Sequence, residues 1–262
     1  MTETIRIAID KRGVARLTLA RAEKHNALSA EMIDALTTAA HDLGADRTVR
    51  AVVLAGEGPS FCAGGDLDWM RAQFSADRAG RIAEARRLAL MFRALNELPK
   101  PLVAFVHGNA FGGGIGLLSV CDVAIAAATA RFGLTEVRLG LIPATISPYV
   151  IARIGESRAR PLFISGKTLD AWQAHAAGLV ARVVPTEEMG EAIGMEIRHF
   201  LSAAPGAAAR AKALVRSLGT PITDAVIETA VEQLADTWDT EEAREGITAF
   251  FERREPAWRK KN

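Results

Sequence analysis

Apolar residues alternate with polar ones at Ile5, Ile7 and Ile9, and again at Ala15, Leu17 and Leu19, with Lys11-Arg12-Gly13 between. This period of two predicts a strand–turn–strand pair. The period then lengthens: Met32, Ile33, Leu36, Ala39, Ala40 and Leu43 share one helical face, behind a capping Ser29 and ahead of Gly44. Residues 51–55 form a short, wholly apolar run of buried-strand type, followed by a glycine-rich loop. The stripe Ile82, Ala85, Ala89, Phe92 and Leu95 predicts a helix over 78–98, stopped by Pro99-Lys100-Pro101. Strands at 102–106 and 123–127 flank a second glycine-rich turn and a short helix. Strands alternating with helices predict an α/β layout for the first two-thirds of the chain. Beyond residue 188 only helical segments remain, over 188–203, 206–217, 221–237 and 240–252. The division expected is a core over 1–187 and a helical region over 188–262. Trp238 and the Phe250-Phe251 pair are large apolar groups on a polar background, expected to dock on the core or on another copy.

Composition adds mainly exclusions. The 262 residues are 49% hydrophobic and 24% charged, with a net charge of +1, which gives no basic face for nucleic acid. A local cluster, Arg253-Arg254 with Arg259-Lys260-Lys261, reads as a solvated tail ahead of an anion site. Cys62 and Cys121 have no metal spacing and no disulfide framework. The most apolar stretch, 110–130, is rich in glycine and carries Asp122, so it fails as a membrane span. The first residues lack a signal-peptide pattern, and a cytoplasmic protein is expected.

The candidate chemistry lies in two loops. Phe61-Cys62-Ala63-Gly64-Gly65-Asp66-Leu67 follows one predicted strand, and His107-Gly108-Asn109-Ala110-Phe111-Gly112-Gly113-Gly114-Ile115-Gly116 follows the next. Each puts small residues where a strand gives way to a helix, where backbone N–H groups lack partners. Two such groups converging on one point would form an oxyanion hole; the alternative is that the glycines only permit close packing. Nucleotide loops are excluded: the second loop breaks G-x-G-x-x-G, and the segment ending Gly166-Lys167-Thr168 has Pro161 where a phosphate loop needs glycine. Asp66-x-Asp68 is weak as a metal site and suits capping or solvation.

These segments resemble the crotonase (enoyl-CoA hydratase/isomerase) superfamily. The resemblance runs through 21–28, 61–67, 110–122, Phe132-Gly133-Leu134-Thr135-Glu136 and Leu139-Gly140-Leu141-Ile142-Pro143, in order, to the ending 250–258. It implies a spiral of ββα units with a helical C-terminal extension, assembled as a homotrimer or a dimer of trimers. It implies an acyl-CoA thioester as substrate, with no separate cofactor, no metal and no membrane or nucleic-acid partner. By motif, the N–H groups of Gly65 and Gly113 would hold the thioester oxygen. Backbone around Ala27, Ala63 and Leu67, with Asp66 and Lys24 nearby, would hold coenzyme A, and Gly116 and Leu141 would line the substrate pocket.

One departure matters. Family hydratases place two glutamates over the reacting carbons; here Glu136 fits the second, while the first falls on Gly116. Glu136 among apolar neighbours suits acid–base work near neutrality; the competing reading pairs it with Arg131 or Arg138. The wording of 65–70, 111–117 and 141–149 looks like bacterial methylglutaconyl-CoA hydratases of leucine and isoprenoid breakdown. The implied reaction is addition of water across the 2,3 double bond of an enoyl-CoA such as 3-methylglutaconyl-CoA. Its distal carboxylate needs a partner, with Arg71, Arg138, Ser147 and Tyr149 as candidates. An enoyl-CoA isomerase using Glu136 alone, and a non-catalytic acyl-CoA-binding relative, are the alternatives.

Overall fold

Both strands of the predicted hairpin form: β1 (Ile5–Ile9) and β2 (Val14–Leu19) pair antiparallel in the computed structural model, which describes residues 3–259. Ser29 then accepts from the Met32 N–H at 3.3 Å and starts α1 (Ala30–Ala45). From here the chain repeats one plan three times: a long strand, a short strand, then a helical segment. The first unit is β3 (Ala51–Gly56), β4 (Ser60–Cys62), α2 (Leu67–Ser75) and α3 (Arg78–Glu97). The second is β5 (Leu102–Val106), β6 (Asn109–Phe111) and α4 (Gly113–Ser119). The third is β7 (Val123–Ala127), β8 (Arg131–Gly133) and a 3-10 turn, Glu136–Leu139. After it come α5 (Ser147–Ile154), α6 (Glu156–Ser165), β9 (Thr168–Asp170), α7 (Ala171–Ala176) and β10 (Arg182–Val184). Four helices finish the chain: α8 (Met189–Ser202), α9 (Pro205–Leu218), α10 (Asp224–Trp238) and α11 (Glu241–Phe251).

The long strands, with the three-residue β10 at one edge, make a six-stranded sheet in the order β1-β2-β3-β5-β7-β10, parallel from β2 onward. The short ones make a second sheet, β4-β6-β8-β9. This is the expected α/β repeat. Two of the small sheet's three-residue strands, β4 and β6, lie inside what the sequence predicts as glycine-rich loop, because three residues carry no readable period.

Why 51–55 is apolar throughout is now evident. Val52 and Leu54 face the main core, while Ala51 and Val53 face a second core capped by Met189, Ala192, Ile193 and Ile197 of α8. Alternation vanishes from a strand covered on both faces. Each fully buried Val, Leu or Ile there contributes about 1.5–3 kcal/mol.

Four other expectations meet the fold. Trp238 docks on the body of the chain, beside Leu141, Ala243 and Ile247. Within the basic cluster, Arg254 pairs with Glu245 and Glu252, and Arg259 with Glu255, which leaves a solvated face; Lys260 and Lys261 lie outside the described residues. Cys62 and Cys121 are free and buried, and burial pushes both thiols up to about 12, which makes them poor nucleophiles. No helix among the described residues is long and apolar enough to cross a membrane.

Candidate active site

The two glycine loops meet at the ends of β4 and β6, which the small sheet holds side by side. The first loop is stapled to the segment before α1: Leu28 N–H donates to the Gly64 carbonyl at 2.7 Å, and Asp66 N–H to the Leu28 carbonyl at 3.1 Å. The second is tied to β8 by Gly112 N–H donating to the Gly133 carbonyl at 2.9 Å. Gly64 (φ +100°) and Gly112 (φ +47°) adopt positive φ values that side chains resist, and they turn the chain so that the loops touch. A Cβ added at Gly64 would lie 3.7 Å from the Gly113 nitrogen. Between these staples, the N–H groups of Gly65 and Gly113 have no acceptor among the described residues.

Glu136 enters from the third unit. It opens the 3-10 turn after β8, and its carbonyl accepts from the Leu141 N–H at 3.1 Å. Its carboxylate reaches the second loop: a Cβ on Gly112 would stand 2.9 Å from Glu136 Oε1. The other oxygen, Oε2, is sealed from solvent with no hydrogen-bond partner. Burial pushes the carboxyl up to about 7, against a smaller lowering by its own backbone N–H. Neither Arg131 nor Arg138 pairs with it, and both side chains are exposed. A carboxyl group poised near neutrality suits proton transfer in either direction.

Glu136 faces a cavity of about 290 Å³ whose walls include Ala63, Gly65, Leu67, Gly113 and Leu141. Trp69, Met70, Ile142, Leu234, Trp238 and Phe250 add apolar surface to its lining. Two of the three C-terminal aromatics that stand out in the sequence, Trp238 and Phe250, thus serve as cavity wall. No lysine, arginine or histidine of the described residues lines it.

Other expected groups are placed as follows. Asp66 is buried; burial raises its carboxyl, but Arg21 at 2.8 Å and the N–H groups of Asp68 and Trp69 outweigh that and hold it low. It works as the cap of α2. The Ala27 carbonyl accepts from Arg21 at 2.7 Å, and the exposed Lys24 lies 3.4 Å from Asp68. The proposed carboxylate partners stay off the cavity. Arg71 stacks over Phe251 at 4.7 Å, Ser147 donates to the Pro143 carbonyl, and the buried Tyr149 hydroxyl donates to the Ala89 carbonyl.

Gly116 requires a correction. Expected to line the pocket, it lies behind the wall, because Ile146 and Phe92 occupy the space a side chain would need. Its Cβ would overlap Ile146 Cγ2 and sit 2.8 Å from the Phe92 ring. The place of a second carboxylate is therefore filled with hydrocarbon.

Sequence reasoning missed Thr135 and Thr145, the two hydroxyls on the cavity wall. No spacing singles them out, since a buried threonine resembles any β-branched core residue until its surroundings are known.

Known proteins are similar to this chain in sequence and fold. The profile of the family described as enoyl-CoA hydratase/isomerase matches residues 10–261. The human mitochondrial methylglutaconyl-CoA hydratase is 33% identical over 258 residues, covering 95% of this chain and 75% of that one. Among solved structures, an enoyl-CoA hydratase from Mycobacterium avium superposes with a TM-score of 0.85 at 32% identity, covering 99% of this chain and 100% of that one. Pseudomonas aeruginosa AtuE does so at 0.80 and 36%, covering 98% and 99%. The chain belongs to the enoyl-CoA hydratase/isomerase family.

Proposed function

We propose that the protein hydrates 2-enoyl-CoA thioesters with Glu136 as its single acid–base. The observation that carries this reading is a carboxyl with one oxygen sealed and unpaired, pushed up to about 7 by burial, facing a largely apolar cavity beside two glycine N–H groups with no acceptor among the described residues. In the reaction, the oxygen of water bonds to C3 as the 2,3 π electrons move onto the thioester. Glu136 takes one proton from that water. The N–H groups of Gly65 and Gly113 hold the enolate oxygen, a contribution of several kcal/mol when donors are preorganised. Glu136 then returns the proton to C2, giving a 3-hydroxyacyl-CoA. Coenzyme A would run past Ala63 and Leu67 at the cavity wall, with Lys24 outside.

The finer candidate is 3-methylglutaconyl-CoA, supported by the name of the human relative and by the wording of 65–70, 111–117 and 141–149. Its distal carboxylate would meet no cation of the described residues in the cavity, so it carries a desolvation cost that crotonyl-CoA avoids. A second reading, double-bond isomerisation, is favoured by the filled space at Gly116, since that chemistry needs one glutamate only.

The test is product analysis with crotonyl-CoA, 3-methylglutaconyl-CoA and a 3-enoyl-CoA, alongside Glu136→Gln. Hydrated product that falls about 100- to 10,000-fold in the variant is expected. Preference for crotonyl-CoA would remove the glutaconyl reading and leave the hydratase. A moved double bond without hydration would replace both by the isomerase.

A further inference from the structure

Hydration asks for something that isomerisation does not: a water molecule held with a lone pair toward C3. With Ile146 and Phe92 filling the space beside Gly116, no second carboxylate can hold it. The residue next to Ile146 is Thr145, which is 7% exposed and lines the cavity. Its neighbours Ser147 and Tyr149 spend their hydroxyls on the Pro143 and Ala89 carbonyls. Thr145 lines the cavity, and its hydroxyl makes no hydrogen bond to a described residue and is not among the sealed polar atoms. An unpartnered hydroxyl in so apolar a chamber needs a polar guest.

We propose that Thr145 is the water-positioning residue of this site: its oxygen accepts the water hydrogen that does not go to Glu136, taking over the orienting work of the missing carboxylate. This rests on the hydratase reading above. Thr135, the other hydroxyl on the wall, adjoins the base in sequence, whereas Thr145 adjoins Ile146, whose side chain fills the space beside Gly116.

The experiment compares two reactions of the same purified enzyme. One is hydration of crotonyl-CoA. The other is exchange of the C2 protons of butyryl-CoA with deuterated water, which calls on Glu136 and the glycine N–H groups but on no attacking water. In Thr145→Val the ratio of hydration to exchange is expected to fall about ten-fold or more, as a misplaced reactant costs. Thr145→Ser, which keeps the hydroxyl, should restore it, and Thr145→Ala provides the same comparison should the valine variant fail to fold. Equal losses in both reactions, or a ratio broken by Thr135→Val and not by Thr145→Val, would overturn the proposal. Wild-type protein that exchanges C2 protons but hydrates no enoyl-CoA would bring down the hydratase reading itself, and this inference with it.

Discussion

Ionising a carboxyl group with one oxygen sealed and unpartnered costs free energy, and at Glu136 that cost has a definite pH window. Its folded pKa, about 7, lies above the ordinary 4.5. Below pH 4.5 the group is protonated in both folded and unfolded chains and contributes nothing to the difference. Between about 4.5 and 7 the unfolded chain releases a proton that the folded one keeps, so stability falls as pH rises. Above 7 the full penalty, at most about 3 kcal/mol, is present. Glu136→Gln should therefore gain stability over wild type at pH 8 relative to pH 4, measured as the shift in urea midpoint between the two proteins. A midpoint difference independent of pH would mean that the carboxyl is not desolvated. The same residue should give the hydration rate of the wild type a rising limb near pH 7. Its motif was visible in the sequence, but its isolation from Arg131 and Arg138 was not, because charge pairing depends on where side chains point.

Among the elements, α11 matters more to the site than its place at the end of the chain suggests. Gly246 lets it lie directly on the turn that carries Glu136: an added Cβ would stand 2.5 Å from the Leu139 carbonyl. On the same helix, the Glu242 carbonyl packs against Gly140, the αL residue that ends the turn. Gly246→Ala should lift α11 from the turn, lowering stability by about 1–3 kcal/mol and the hydration rate of the folded fraction with it. Unchanged values for both would show that the contact does not position Glu136. Another part of the wall has its own brace. Trp69 of α2 donates to Glu84 at 3.0 Å, and Arg81 reaches the Gln73 carbonyl at 2.9 Å while stacking near Trp238. All four C-terminal helices were legible from their stripes and breaks. Their contacts with the site were not, since a stripe says that a face is buried and not what buries it.

At the scale of the whole molecule, one α-helix among the described residues has no buried residue of its own. Helix α9 buries no residue, and Leu214, Val215 and Leu218 are 58%, 71% and 78% exposed. Apolar residues so placed mark a contact surface, and we propose that copies of this chain cover it in a homotrimer. Sedimentation at micromolar concentration should give about three times the chain mass, and Leu218→Glu should lower it; a monomer at every concentration would refute the assembly. The sequence by itself determined the α/β repeat, the helical ending, the glycine loops and the position of Glu136. These rest on local period, capping and motif order, which are written along the chain. The tertiary structure decided the rest. The small sheet aligns two distant loops, Ile146 and Phe92 close the space beside Gly116, and Thr145 joins the cavity wall. Each of these depends on which atoms from remote segments fill a common volume, and packing of that kind has no period for a single chain segment to display.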